Sequence, residues 1–270
     1  MTDSLGPAFY TAVRRSLFGG SLTQAQVDGI DRLVSAFTLY GTGDRRHLAY
    51  GLATSFHETG KRMEPVREGF AETDAGARAA VAKLFKAGKI SANYALPNAA
   101  GLSFYGRGDV QLTFERNYVE MGRLLGLPLA ANPDLVLDPA VSARVMWEGL
   151  LRGASNRGDF TGKALEDYIA GDRCDYVGAR RTVNGTDRAE DIAGYARAFE
   201  SALIADGVPA MAPRAPRPAP ASPPIAKADP LLPTKPVPTG GLSSAPSPAS
   251  SGGLLSRIVA RLRAAYPRKG

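Results

Sequence analysis

Two glutamates in separate segments have the type and spacing that could do chemistry. Glu58 stands in the last turn of an apolar helical pattern that Gly60 ends. Glu68 follows ten residues later in a segment broken by proline and glycine, which predicts a loop that can face the helix end. Glycoside hydrolysis needs two carboxyl groups that flank the bond to be cut. Two carboxylates on separate elements, such as Glu58 and Glu68, could flank such a bond.

Each of these features also has an ordinary structural interpretation. Glu58 taken alone is typical of a solvated helix end. His57 could ligate a metal, but His47 is the only other histidine and there is no cysteine cluster, so a supporting role is favoured and no metal is expected. Gly106 and Gly108 could suggest a phosphate loop, but no lysine followed by serine or threonine comes after them. A close approach of the backbone to a sugar is the better interpretation of these glycines.

The elements that must position these residues are mainly helices. The apolar periodicity predicts helices at 8–17, 44–58 and 187–205, and another near 161–169. Start signals predict four more: one after a capping box at 23–26, one capped by Asp74, one capped by Thr113, and one that begins at residue 139. Residues 88–102 read as an irregular connection, and 104–112 as a short strand or bend. Alternating strand and helix patterns are absent, so the fold class is mainly α with at most a small β element.

The charge and the prolines divide the chain into three parts. Residues 207–270 carry nine basic residues and one acid, whereas residues 1–206 carry 24 basic and 25 acidic residues. The net charge of +7 thus belongs to the tail, and a nucleic-acid partner is not expected for the rest. We expect a globular domain at 1–206, a disordered linker at 207–253 that holds 13 of the 20 prolines, and a basic amphipathic helix at 254–270.

The cysteine count and the apolar runs bear on the compartment. Cys174 is the only cysteine, so no disulfide within the chain is expected. The N-terminal residues show neither a basic region nor a long apolar run, and nowhere do about 18 apolar residues follow one another. We therefore expect a cytoplasmic, monomeric protein that reaches any wall substrate by another route.

Three motifs in this order resemble glycoside hydrolase family 19. They are His57 to Gly60, Tyr105 to Thr113, and Val183 to Gly185. The resemblance extends over about residues 10–206 and is greatest to the phage and prophage lysozyme-like members. It implies a lysozyme-like helical domain with two lobes around a cleft.

The resemblance also implies roles for individual residues. Glu58 would be the general acid, Glu68 the general base, and Thr113 the residue that positions the attacking water. Plant members carry their second glutamate further along the chain, which leaves Glu72 as an alternative base. The residues expected to contact sugars are Tyr105, Gln111, Asn117 and Asn184.

The function that this resemblance implies is cleavage of the glycan strand of bacterial peptidoglycan by an inverting mechanism, without metal or cofactor. Glu58 must then stay protonated, which a partly apolar position against Phe56 or Tyr105 could provide. The alternatives are a chitinase of the same fold and a catalytically silent protein that binds glycans or membranes. The C-terminal helix is expected to bind an anionic membrane or lipopolysaccharide, with docking on the domain as the alternative.

Overall fold

The computed structural model describes residues 5–153 and 160–212. Their fold is mainly helical, as predicted. The helices are α1 (Pro7–Ser16), α2 (Gln24–Tyr40), α3 (Arg45–Glu58), α4 (Asp74–Lys86), α5 (Glu115–Leu125), α6 (Pro139–Leu150) and α7 (Ala189–Ala205). The strands are β1 (Val66–Arg67), β2 (Arg107–Gly108), β3 (Ile169–Ala170) and β4 (Arg173–Cys174), in the antiparallel pairs β1–β2 and β3–β4. Turns of 3-10 helix lie at Glu68–Phe70, Pro133–Leu137, Leu165–Asp167 and Gly178–Thr182.

Side-chain caps start three of these helices where the sequence indicated. The Thr23 hydroxyl accepts a hydrogen bond from the Gln26 backbone N–H, and the Gln26 side chain accepts one from the Thr23 backbone N–H, so the capping box is complete. The Asp44 carboxylate caps α3 by accepting from the Arg46 N–H, and the Asp138 carboxylate caps α6 by accepting from the Ala140 and Val141 N–H groups. Each cap satisfies backbone N–H groups that have no partner within the helix.

Three local predictions are wrong. Thr73 caps α4, and Asp74 is already inside the helix. Thr113 does not cap α5, because its hydroxyl donates to the Gln111 carbonyl and Phe114 stands at the cap position. The helix expected near 161–169 is a single 3-10 turn followed by β3, since the positive φ of Gly162 and local bonds of polar side chains interrupt the chain there.

The described residues form two separate apolar cores, as a two-lobed domain requires. The larger core surrounds α3, whose residues from His47 to Glu58 are all buried. Helix α7 packs along α3, α1 packs on α7, and α2 packs on α6. The smaller core lies on α4 and includes Ile90 and Ala95 from the irregular connection and Tyr105 from the segment that follows it.

These two cores set the position of the candidate site. Glu58 ends the central helix of the larger core. The 3-10 turn that begins with Glu68 packs against α4, which carries the smaller core. The two glutamates therefore reach the site from different cores.

The packed part of the chain continues past the expected boundary at residue 206. The Arg45 backbone N–H donates to the Ala210 carbonyl at 3.1 Å, and the Ala212 N–H donates to the Gly43 carbonyl at 2.9 Å. The rest of the expected linker and the predicted helix at 254–270 lie outside the described residues. Of the helices within 5–153 and 160–212, none is long and apolar enough to cross a membrane.

Candidate active site

Glu58 lies at the C-terminal end of α3 and is almost completely buried, with 2% of its surface exposed. Its Oε1 accepts a hydrogen bond from Arg180 Nη1 at 2.8 Å. Arg180 comes from the 3-10 turn before α7, is itself buried, and donates through Nε to the Asp187 carbonyl at 3.1 Å. Glu58 Oε2 is buried and has no hydrogen-bond partner among the described residues. One oxygen is therefore bonded to a cation, while the other is buried without a hydrogen-bond partner in the described part of the chain.

The surroundings of Glu58 differ from the expected apolar contact with Phe56 or Tyr105. The Phe56 ring packs against other aromatic rings in the larger core. The Tyr105 ring lies in the smaller core. The partner of the carboxyl group is instead the Arg180 guanidinium, which the distant motif around Asn184 brings to the end of α3.

Glu68 is also buried, with 1% of its surface exposed, and both its oxygens accept hydrogen bonds. Oε1 accepts from the Tyr94 hydroxyl at 2.8 Å, and Oε2 accepts from the Gly106 backbone N–H at 2.8 Å. Burial raises the pKa of Glu68, and the charge of Glu58 adds to the rise, while these two hydrogen bonds and the charge of Arg107 oppose it. The effect of burial prevails, so the pKa of Glu68 lies above its usual value of 4.5.

Gly106 is the point around which three predicted residues meet. A Cβ atom at this position would lie 2.8 Å from Gln111 Oε1, 3.1 Å from Glu68 Oε2 and 3.2 Å from Thr113 Oγ1. The first of these separations is closer than real Cβ atoms approach, and the other two are unusually tight. The absence of a side chain at Gly106 therefore lets a carboxylate, an amide and a hydroxyl converge.

A tight hairpin supplies the amide and the hydroxyl. Arg107 and Leu112 exchange backbone hydrogen bonds of 3.2 and 2.9 Å, which closes the loop formed by residues 108–111. Gln111 has a positive φ of 55°, and its Nε2 donates to the carbonyls of Val66 and Gly108. The Thr113 hydroxyl donates to the Gln111 carbonyl at 2.8 Å. Gln111 thus fixes the hairpin to β1, which leads directly into Glu68.

The other residues expected to contact sugars have structural partners. Asn117 Nδ2 donates to the Thr113 carbonyl at 2.7 Å. Asn184 is buried, and its Oδ1 accepts from the Gly185 N–H at 2.8 Å. The Tyr105 ring is fully buried in the smaller core and stacks on the Arg107 guanidinium, 3.7 Å from ring centre to Cζ. Sugar binding by these residues stays a prediction.

Glu72, the alternative base, is exposed, whereas Glu68 is buried. The Glu72 carbonyl accepts from Arg67 Nη1 at 3.1 Å, which is a contact of its backbone and not of its carboxylate. The Glu68 carboxylate, by contrast, accepts a hydrogen bond from the Gly106 N–H, and the charge of Glu58 contributes to its raised pKa. The geometry therefore favours Glu68 as the second carboxylate of the site.

Sequence reasoning missed Arg180 and Tyr94. Arg180 lies four residues before Asn184, but its neighbour Arg181 is also an arginine and nothing in the pattern tells which of the two points inward. Tyr94 lies in the irregular connection, where an aromatic residue in a long loop was the only signal. Within the described parts of the chain, no group of three or more histidine, cysteine, aspartate or glutamate residues is arranged to hold a metal ion.

Comparison with known proteins finds a family match for part of the chain. Residues 31–151 match the model of the family described as chitinase class I, which is glycoside hydrolase family 19. This range includes Glu58, Glu68 and the hairpin, whereas Arg180 and Asn184 lie beyond it. The segment that matches this family is thus the one that carries both carboxylates.

The similar curated relatives match over short stretches. Endochitinase A2 of Pisum sativum is 43% identical over 53 residues, which is 19% of this chain and 16% of that protein. Chitinase 2 of Oryza sativa subsp. japonica is 50% identical over 53 residues, with the same coverage of 19% and 16%. Inactive chitinase-like protein 1 of Hevea brasiliensis is 52% identical over 42 residues, 16% of this chain and 13% of that protein. The chain thus spans a fifth or less of the length of these relatives.

Two of the solved structures to which the chain is similar carry the name chitinase. Chitinase C from Streptomyces griseus HUT6037 is 20% identical, with a TM-score of 0.44 and coverage of 79% of this chain and 80% of that chain. The family GH19, class IV chitinase from Zea mays is 19% identical, with a TM-score of 0.41 and coverage of 74% and 96%.

Proposed function

We propose that this protein is a glycoside hydrolase that cleaves the glycan strand of bacterial peptidoglycan by an inverting mechanism. The observation that carries the proposal is the pair of buried carboxyl groups, Glu58 and Glu68, which come from separate elements. The charge of Glu58 contributes to the raised pKa of Glu68. The match of residues 31–151 to a family of glycosidases supports the same chemistry. The choice of peptidoglycan rests on the resemblance of the three sequence motifs to phage-type members.

Each carboxyl group has a distinct role in the proposed reaction. The reacting form is the one in which Glu58, a carboxylate paired with Arg180 in the resting structure, is protonated. It donates this proton to the glycosidic oxygen as the bond from that oxygen to the anomeric carbon breaks. Glu58 Oε2 is the atom for this proton, because Oε1 is bonded to Arg180. Glu68 takes a proton from the water whose oxygen forms the new bond on the opposite face of the sugar.

Thr113 and Gly106 line the part of the site in which the attacking water is proposed to bind. The Thr113 hydroxyl and the Glu68 carboxylate both lie next to Gly106, where a water could contact both. The Gly106 N–H fixes one oxygen of Glu68 in orientation. Because the pKa of Glu68 is raised, the base has to lose its proton above the usual pH for a glutamate, so activity should fall on the acidic side at a pH above 4.5.

Chitin is the second candidate substrate, and the names of the relatives favour it. The similar proteins include endochitinases, but those from Pisum sativum and Arabidopsis thaliana match over only 16% and 21% of their length. One of them carries the name of an inactive chitinase-like protein, so similarity in this segment does not by itself establish turnover. A glycan-binding protein without catalysis is therefore the third outcome to test.

A paired assay separates these outcomes. In the first assay, purified protein is added to outer-membrane-permeabilised bacterial cells and the turbidity of the suspension is measured over time. In the second, it is added to colloidal chitin and the release of reducing ends is measured. We expect rapid loss of turbidity and an inverted anomer in the first product by NMR. Hydrolysis of chitin alone would assign the second candidate, and binding without cleavage of either polymer would contradict the proposed enzyme.

The Glu58→Gln variant tests the chemistry itself. Its shape is nearly unchanged but it has no proton to donate, so the rate should fall by about 10²- to 10⁴-fold. Glu72→Gln is the matched control, since this glutamate is exposed, and it should keep nearly full activity. A folded Glu58→Gln protein with normal activity would exclude the mechanism.

A further inference from the structure

Asp109, a further buried carboxylate, lies at the tip of the hairpin next to the candidate site and has no exposed surface. It accepts two hydrogen bonds from Arg32 in a bidentate pair, Nη1 to Oδ2 and Nη2 to Oδ1, each at 2.9 Å. The Ser55 hydroxyl donates to Oδ1 at 2.8 Å, and the Ser142 hydroxyl donates to Oδ2 at 2.6 Å. We call these four residues the Asp109 cluster. It joins α2, α3 and α6 to the hairpin.

Arg32 extends this cluster to the segment that connects the two glutamates. Its Nη2 also donates to the Met63 carbonyl at 3.2 Å, and its Nη1 donates to the Pro139 carbonyl at 2.8 Å. Met63 lies between Glu58 and Glu68 in the chain. A single guanidinium therefore fixes the hairpin, the start of α6 and the connection between the two carboxylates.

The cluster touches both sides of the candidate site through the backbone. Ser55 lies one helical turn before Glu58 on α3, so its position and that of Glu58 are linked by a rigid element. Asp109 lies in the hairpin between Gly106, which donates to Glu68, and Thr113. A shift of the hairpin relative to α3 would change the separation between the acid side and the water side of the site.

We propose that Arg32 and Asp109 are positioning residues that hold the Gly106–Thr113 hairpin in catalytic register with Glu58. This inference rests on the proposed function. None of the four residues of the cluster contacts Glu58 or Glu68 through a hydrogen bond, so the effect is transmitted by the hairpin and α3. Because misplacement of reacting groups by about 1 Å can cost on the order of 100-fold in rate, a small hairpin shift is enough to be measured.

The ordinary alternative is that the pair contributes only to folding. Buried ion pairs are weak evidence for a special role, and removing one partner usually destabilises a protein. A test must therefore separate loss of stability from loss of register. Asp44 provides the matched control, because it is also buried and paired with an arginine, Arg46, but lies at the opposite end of α3 from Glu58.

The experiment compares Asp109→Asn with Asp44→Asn at a temperature at which both are fully folded. We expect Asp109→Asn to lower kcat on the glycan by about tenfold or more with little change in KM, and Asp44→Asn to keep kcat within about twofold. Ser142→Ala is the milder second variant, should Asp109→Asn fail to fold. It removes one hydrogen bond to the carboxylate and should lower kcat in the same direction.

A readout that does not depend on turnover completes the test. The Glu68 carboxyl carbon is titrated by ¹³C NMR in each variant. Since the Gly106 N–H lowers the pKa of Glu68, a displaced hairpin should raise this pKa further in Asp109→Asn and leave it unchanged in Asp44→Asn.

The outcomes separate this inference from the proposed function. If wild-type protein cleaves no glycan, the proposed function fails, and the Glu68 titration still decides whether the cluster holds the hairpin. If the wild type is active, an Asp109→Asn protein with normal kcat and an unchanged Glu68 titration would overturn the positioning role. Equal losses of kcat in folded Asp109→Asn and Asp44→Asn would overturn it as well.

Discussion

The ion pair between Arg180 and Glu58 gives a large and testable effect on stability. Both side chains are almost fully buried, and the Arg180 guanidinium is the one hydrogen-bond partner of the Glu58 carboxylate that the described residues show. The Arg180→Met variant keeps a long side chain but removes the cation. It leaves a buried carboxylate that can neither reach water nor pair, which is the condition that makes a broken buried ion pair costly.

The expected loss follows from the burial of both partners. Removing one partner of a buried pair costs about 3–5 kcal/mol of the free energy of unfolding. In a domain of about 150–250 residues, each kcal/mol shifts Tm by about 2–4 °C. The Arg180→Met protein should therefore unfold roughly 6–20 °C below the wild type at neutral pH.

Two further variants make this prediction specific to the pair. The Arg180→Met/Glu58→Gln double variant has no buried charge at this position, so it should recover most of the lost stability. Arg181→Met is the matched control, because this neighbouring arginine in the same 3-10 turn is exposed and its loss should change the free energy of unfolding by about 0.5 kcal/mol or less.

Thermal unfolding followed by circular dichroism measures all four proteins under the same conditions. A loss below about 1 kcal/mol in Arg180→Met, which is the range of exposed pairs, would refute the reasoning. A double variant that is no more stable than Arg180→Met would refute it too, because the unpaired carboxylate would then not be the cause.

Three further predictions concern the surroundings of Glu68. Tyr94→Phe removes a hydrogen bond that lowers the pKa of Glu68, so the acidic limb of the pH profile of kcat/KM should move to higher pH; an unchanged limb would contradict the role of this hydroxyl. Gly106→Ala should keep its circular dichroism spectrum but lose about tenfold or more in kcat, since the new Cβ would meet Gln111 and Glu68; normal turnover would refute the convergence at this glycine. Because the pKa of Glu68 is raised in the folded protein, ionisation of Glu68 destabilises the folded state as the pH rises above 4.5. The Glu68→Gln variant should therefore have a higher Tm than the wild type at pH 7, and this difference in Tm should disappear at pH 4. An equal Tm of the two proteins at both pH values would show that burial of this charge costs little.

The helices were predictable because their signals are local. A capping box at Thr23, an aspartate before α3 and another before α6 determine where three helices begin, and each acts within four residues. The apolar residues at helical spacing in α3 likewise predict a helix whose last turn contains Glu58. Local rules therefore gave the element that holds the proposed acid.

The contacts across the site were not predictable in the same way. The Arg180–Glu58 and Arg32–Asp109 pairs join residues 122 and 77 positions apart, and no periodicity connects them. The wrong prediction of a cap at Thr113 has a similar origin, because the hydroxyl is engaged by a hairpin whose shape depends on the left-handed conformation of Gln111. Polar groups buried between elements are specified by the assembled fold and not by their neighbours in the chain.

Backbone strain is concentrated in the same part of the molecule. Of the six non-glycine residues with a positive φ in the described chain, five lie between Glu58 and Asn117, namely Lys61, Met63, Phe70, Gln111 and Phe114. Such a conformation costs on the order of 1–3 kcal/mol per residue and persists only where surrounding contacts impose it.

The contacts that impose this strain are the ones that shape the candidate site. The Gln111 amide bonds to Val66 and Gly108, and the Met63 carbonyl accepts from Arg32. A glycine at position 111 would relieve the backbone but would remove the amide that ties the hairpin to β1 and hence to Glu68. The strained glutamine is thus explained by its side chain, and the hydrogen bonds that offset the strain also keep Glu68 and Thr113 on the same side of Gly106.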